Sequence, residues 1–247
     1  MSGDVPVRDD VAAPPESPRP REMLSDTVEL SVDGAPVPVR LTLPAGPRGV
    51  VVLVRGGNGG RLGARSRRVA AALPPAGYAV VLPGLRGSPL PGDPAPDAQC
   101  AATLLVAVTR WARRHPRLDG LPLGYFATST GAAIALLAAA ELGGEVAALV
   151  CRAGRPAATR ARLDEVSAAT LLLVGGADPV GVGFNGDLEP LLRCPRSLRI
   201  IPGAGRDFIE PGAMDEALDL ALGWFHRYLA PPRGSGSPAC GTPITLA

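Results

Sequence analysis

Five short runs of unbroken apolar residues restrict this chain to very few architectures. They are Gly49–Val54 (GVVVLV), Tyr78–Leu82 (YAVVL), the strand that opens LPLGYFATSTGAAIALLAAAELG at 121–143, Val146–Cys151 (VAALVC) and Ala169–Val174 (ATLLLV). A strand with one wet face alternates apolar and polar residues, whereas a run apolar at every position is buried on both faces. Helical segments lie between several of these runs: Arg61–Leu73, the stretch AQCAATLLVAVTRWARR within 94–115, and the Ala-rich stretch that ends at Gly143. A shorter run follows at Leu198–Ile201. Met214–Leu229 then closes the pattern as a helix, with a stripe through Leu218, Leu220, Ala221, Trp224, Phe225 and Tyr228. Strands buried on both faces and interleaved with helices predict an α/β domain, a mostly parallel sheet covered by helices on each side. Upstream, TVELSVDGAPVPVRLTLP reads as a hairpin about Asp33-Gly34 and supplies an antiparallel edge. A single domain is expected over 25–230. A Pro-rich disordered arm (1–24) precedes it and a flexible tail (231–247) follows.

Composition removes several function classes. The net charge of +2 gives no field for nucleic acid or an anionic membrane surface. Every basic side chain other than the two histidines is Arg, so a lysine Schiff base, a Walker-A lysine and pyridoxal phosphate chemistry are excluded. The cysteines (100, 151, 194, 240) show no C-x-x-C spacing and no His at metal-ligand distance, so no structural zinc is expected. Cys151 ends an apolar run and is expected to be a buried, inert thiol. No apolar run approaches the ~20 residues of a membrane span. The polar, acidic start MSGDVPVRDDVAAPPESPRP does not read as a signal peptide. A cytoplasmic protein acting on a small-molecule substrate or ligand is the expectation, with no cofactor, no metal and room for a homodimer.

Within 121–143 an apolar strand passes through a turn of small residues at Ser129 straight into a helix. This is the shape of a nucleophile elbow, a strained strand-to-helix turn that lifts one hydroxyl to the top of a sheet. Several further stations follow in order. RGGNGGRLGARSRRVAAAL comes after the GVVVLV strand, Ala127-Thr128-Ser129-Thr130-Gly131 forms the turn, and Cys151-Arg152-Ala153-Gly154-Arg155-Pro156 ends the next strand. Gly175-Gly176-Ala177-Asp178 ends another, and Pro202-Gly203-Ala204-Gly205 leads to Phe208-Ile209-Glu210-Pro211-Gly212. In this ordered set the chain resembles the α/β-hydrolase fold, and more narrowly its dienelactone-hydrolase-like branch, from about Thr27 to Leu229.

The resemblance implies roles. Ser129 takes the nucleophile position, and Asp178 the acid position that orients an imidazole. Backbone N–H groups of Thr130 and Gly57 take the oxyanion position. Relatives carry the base in a Gly-x-His-x-Phe loop, but here that loop reads Gly205-Arg206-Asp207-Phe208, so Arg206 occupies the histidine station. A guanidinium is no general base near neutral pH. It is expected to salt-bridge Asp178 and keep the loop's shape. His115, at the end of a helix ahead of the elbow strand, and His226, within the closing helix, are expected to be structural. Arg55 stands where relatives have His, and with Arg152 and Asp207 it is expected to line a pocket more cationic than usual. Arg61, Arg65, Arg67 and Arg68 are expected to form a solvated helix face.

Three functional readings follow. One is a serine hydrolase acting on a small ester, lactone or thioester with an impaired triad. Another is a pseudo-hydrolase that binds a small, anionic ligand. The third is a cyclase or lyase that uses Ser129 and the N–H groups as hydrogen-bond donors.

Overall fold

The computed structural model describes residues 23–32, 34–55, 63–85, 97–154 and 157–230. Eight strands form one sheet: β1 (Leu24–Val32), β2 (Ala35–Leu43), β3 (Gly49–Arg55), β4 (Tyr78–Pro83), β5 (Leu123–Thr128), β6 (Ala148–Arg152), β7 (Ala169–Gly175) and β8 (Arg196–Ile201). Their spatial order is β1-β2-β4-β3-β5-β6-β7-β8. The pairs β1–β2 and β2–β4 are antiparallel and every other pair is parallel, so the leading hairpin forms the antiparallel edge its alternating pattern predicts. Leu24 already pairs with Leu43, which places the start of the fold within the stretch read as an arm. Asp33, the remaining tail from 231 and the arm to residue 22 lie outside the described residues.

Helices cover both faces. Helices α2 (Ala98–Arg114) and α3 (Gly131–Leu142) pack on one side, and α1 (Ala64–Ala72) and α5 (Ala213–Tyr228) on the other. α2 starts where Asp97 accepts the Cys100 N–H at 2.7 Å, and it ends in Arg113 and Arg114, which complement its dipole. Apart from the exposed Glu141, α3 is apolar, and ten of its twelve residues are buried. Its alanines leave room for it to sit against both the sheet and α2. α5 inserts Ala217, Leu218, Ala221 and Phe225 into the opposite core, while Leu220, Trp224 and Tyr228 are partly buried at its margin.

One helix was not legible in the sequence. α4 (Pro179–Leu188, PVGVGFNGDL) holds three glycines, which oppose helix formation by ~1 kcal/mol each. Tertiary context forms it nevertheless. Asp178 caps it by accepting the Gly181 N–H at 3.0 Å, and Pro179 fits its first turn. The buried Asn185 amide ties it to Gly154 O (3.1 Å) and also donates to Gly181 O within the helix (2.8 Å). A 3-10 segment (Ala157–Glu165), also not foreseen, connects β6 to β7.

The connections set the site. From β3 the chain goes to β4 on one side, and from there to β5 on the other side of β3. In an open α/β sheet a ligand crevice opens at the carboxyl ends of the strands where the winding reverses. Here that is the end of β3 and β5, at Arg55, Thr128 and Ser129.

Candidate active site

β5 enters α3 through Ser129, whose φ of 53° lies in the left-handed region. A non-glycine residue there costs roughly 1–2 kcal/mol. The turn is held from both sides. The Ser129 N–H donates to Arg152 O of β6 (3.1 Å), and Ser129 O accepts the Ala132 N–H (3.1 Å). Ser129 is half-buried and Thr130, at the mouth of α3, is exposed. The first amides of a helix have no carbonyl one α-turn back to bond; here Ala132 and Ala133 are taken up by short turn bonds to Ser129 O and Thr130 O, and the Thr130 N–H lies directly beside the hydroxyl. Gly57 lies outside the described residues.

The last residues of three adjacent strands form a row. Arg55 is registered with Thr128, and Thr128 with Arg152. All three follow the alternation that points to the α1/α5 side, where Leu53, Phe126 and Val150 of the same strands are buried. A small cleft under α1 is lined by Leu53, Arg55, Ser66, Val69, Phe126 and Thr128. Arg152 is 7% exposed, its guanidinium stacks over the Phe208 ring at 5.1 Å, and its Nε is buried with no partner among the described residues. Burial, reinforced by the charge of Arg65 and opposed by Asp207, brings its pKa down to about 10. Arg65 donates to Asp207 Oδ1 at 3.1 Å, and Arg68 pairs with Asp215 of α5. Two of the α1 arginines expected to form a solvated face, Arg65 and Arg68, stay half-exposed and also reach across to the loop after β8 and to α5. Arg61 lies outside the described residues.

The loops after β7 and β8 are joined. Gly176 N–H donates to Ile201 O and Ala177 N–H to Ala204 O, both at 2.8 Å. A Cβ on Gly175 would collide with the carbonyl oxygens of Ala204 and Gly205, so only glycine allows this approach. Asp178 lies one residue beyond the junction and Arg206 two. The expected Arg206–Asp178 salt bridge is nevertheless not formed. The Asp178 carboxylate turns back to cap α4, and Arg206 is exposed with no partner among the described residues. The loop keeps its shape by another means. Glu210 accepts backbone N–H groups of its own residue, Gly205 and Ile209, which hold its carboxyl below the usual carboxylate range. Gly205 must stay a glycine, since a Cβ there would stand 2.8 Å from Glu210 Oε1. Phe208, with φ of 55°, turns its ring inward beneath Arg152. The sequence signal for Glu210 was present in the Phe-Ile-Glu-Pro-Gly segment, but spacing alone gave it no role.

Neither histidine reaches this edge. His226 sits beside Arg48 Nη1 (2.6 Å) and Tyr78 Oη (3.3 Å), residues at the amino ends of β3 and β4. His115 caps the end of α2 ahead of β5, and its Nδ1 accepts the Arg117 N–H. A strand the length of β5 separates the two edges by about 20 Å. Cys151 is fully buried, which pushes its thiol up to about 12 and removes it as a nucleophile. Among the described residues no cluster of His, Cys, Asp and Glu could hold a metal ion, and no helix is long and apolar enough to cross a membrane.

A dienelactone hydrolase from Anabaena variabilis is 35% identical to this chain, covering 84% of it and 99% of that protein, with a TM-score of 0.78. The chain belongs to the dienelactone hydrolase family. A provisionally assigned dienelactone hydrolase from Klebsiella pneumoniae shares the fold at 20% identity and a TM-score of 0.69, over 84% of this chain and all of that one. No family model matches. Curated relatives from two strains of Mycobacterium tuberculosis, provisionally named phosphoribosyl transferase, are 39% identical over 212 residues. Those residues are 84% of this chain but only 48% of the relatives, so the chain spans about half their length.

Proposed function

We propose that this protein is a serine-dependent hydrolase of a small ester, lactone or thioester, in which Ser129 is the nucleophile and the base is lost. The observation that carries the reading is the strained Ser129 turn at the point where the sheet's winding reverses. A fold keeps a non-glycine residue at positive φ where its surroundings enforce it, and such positions concentrate at functional sites. Asp178 and Arg206 take the acid and histidine stations on the joined loops, and the N–H groups of Thr130 and Gly57 take the oxyanion hole. With both histidines at the far edge, Ser129 attacks without an imidazole, so turnover falls far below that of an intact triad. Loss of one triad member typically leaves about 10³–10⁴-fold acceleration over water, supplied by binding and the oxyanion donors.

A second reading, a pseudo-hydrolase that binds an anion, is favoured by the buried guanidinium of Arg152 beside the elbow. The two separate by turnover of a small activated ester by the wild type and by Ser129→Ala. Slow hydrolysis that disappears in Ser129→Ala is expected. Equal rates in the two proteins would remove Ser129 from the chemistry and leave the binding reading.

A further inference from the structure

A buried guanidinium ordinarily forks onto a carboxylate, because stripping it of water without a partner is costly. Arg152 is buried with its guanidinium over the face of Phe208, and among the described residues its Nε–H has no acceptor. A ring face attracts the charge but accepts no such N–H bond. The charged groups that bear on Arg152 are Arg65 and Asp207, and Asp207 already bonds to Arg65. Two guanidinium groups therefore share one carboxylate, and that carboxylate is exposed, on a loop, and bonded through Oδ1. Among the described residues this is a cationic corner with a buried donor and too few anions to match it.

We infer that this corner, on the α1/α5 side of Ser129, is a subsite for the phosphoryl group of a substrate or ligand, with Arg152 and Arg65 as donors and Asp207 as the internal carboxylate that occupies it in its absence. The donors come from different directions. Arg152 rises from β6, and Thr128 in register beside it offers a hydroxyl from β5. Arg65 and Ser66 descend from α1, with Ser66 and Thr128 lining the same cleft. Non-coplanar donors suit a tetrahedral oxyanion better than a planar carboxylate. An arriving phosphoryl oxygen takes the place of the Asp207 oxygen on Arg65 and gives the Arg152 Nε–H an acceptor. Asp207, next to Arg206 on the same loop, is then released toward solvent. The inference uses the Ser129 reading only to place the reacting bond next to the subsite; binding itself stands apart from turnover.

The test is calorimetric titration of the full chain with inorganic phosphate at fixed ionic strength, with acetate as the parallel arm. Saturable phosphate binding is expected in the wild type. Asp207→Asn, which removes the competing carboxylate, is expected to bind phosphate about tenfold more tightly. Arg152→Gln and Arg65→Gln are each expected to weaken it at least tenfold, while Arg193→Gln, at a surface ion pair, leaves it unchanged. Arg65 is half-exposed on α1, so its variant reports even where Arg152→Gln fails to fold. Phosphate that does not saturate in either the wild type or Asp207→Asn would overturn the subsite, as would affinity indifferent to Arg65→Gln. Acetate binding as tightly as phosphate would overturn the phosphoryl assignment. Ser129→Ala is expected to bind phosphate as the wild type does, so failure of the hydrolase reading and failure of this one show up in different experiments.

Discussion

The two ends of the sheet handle polar residues in opposite ways. At the amino edge His226 is matched by Arg48 and Tyr78, and each group finds a partner. At the carboxyl edge Ser129 is held at positive φ, the Arg152 Nε finds no acceptor among the described residues, and Arg206 stands in solvent. Satisfied polar groups stabilise a fold and do little else, whereas strain and unmatched charge persist where function or its remnant requires them. The contrast marks the carboxyl edge as the candidate site without reference to any relative. It also explains why the histidines cannot serve it: both are committed to the wrong edge.

The comparison breaks most visibly at Arg206. Arg206→His is expected to raise turnover of an activated ester at least ~100-fold, the usual contribution of a positioned general base. Asp178→Asn added to that variant should remove most of the gain. A rise that ignores Asp178 would show that capping α4 is the aspartate's whole role. Next in size is Gly175→Ala, which drives a methyl group into two carbonyl oxygens and should cost about 2–3 kcal/mol in denaturant unfolding. An unchanged midpoint would mean that the loops after β7 and β8 are not joined as described. A matched pair follows. Ser129→Gly and Ala153→Gly both relieve a positive φ and should each stabilise by about 1 kcal/mol, but only the first should abolish turnover. The smallest effect concerns Glu210. Because its carboxyl is held below the ordinary 4.5, its contribution is complete above about that pH and is lost as pH falls through the lowered value. Glu210→Gln should therefore flatten the acid limb of a pH–stability curve and leave the limb near neutrality unchanged.

Much of this was legible in the chain. The runs GVVVLV, YAVVL and ATLLLV declared a sheet buried on both faces because a parallel strand has no wet side to encode. The tight strand-to-helix turn at Ser129 was legible because only small residues fit it. α4 was hidden because its stability comes from Asp178, Pro179 and Asn185 and not from its glycine-rich interior. The Arg65–Asp207 pair was hidden for a different reason: its partners lie 142 residues apart, and no local pattern marks such a contact. The expected Arg206–Asp178 bridge failed because sequence order placed the two stations on neighbouring loops but said nothing of where either side chain turns. The capping bond to Gly181 had already claimed the aspartate.

The most direct test of the central claim is covalent labelling of Ser129 by a fluorophosphonate, read by intact mass for the wild type and Arg206→His side by side. Slow, sub-stoichiometric labelling of the wild type and prompt, single-site labelling of the variant are expected if the elbow is intact and only the base is missing. Prompt labelling of the wild type would reveal a base other than the histidine station, and a folded Arg206→His that labels no faster would contradict the account.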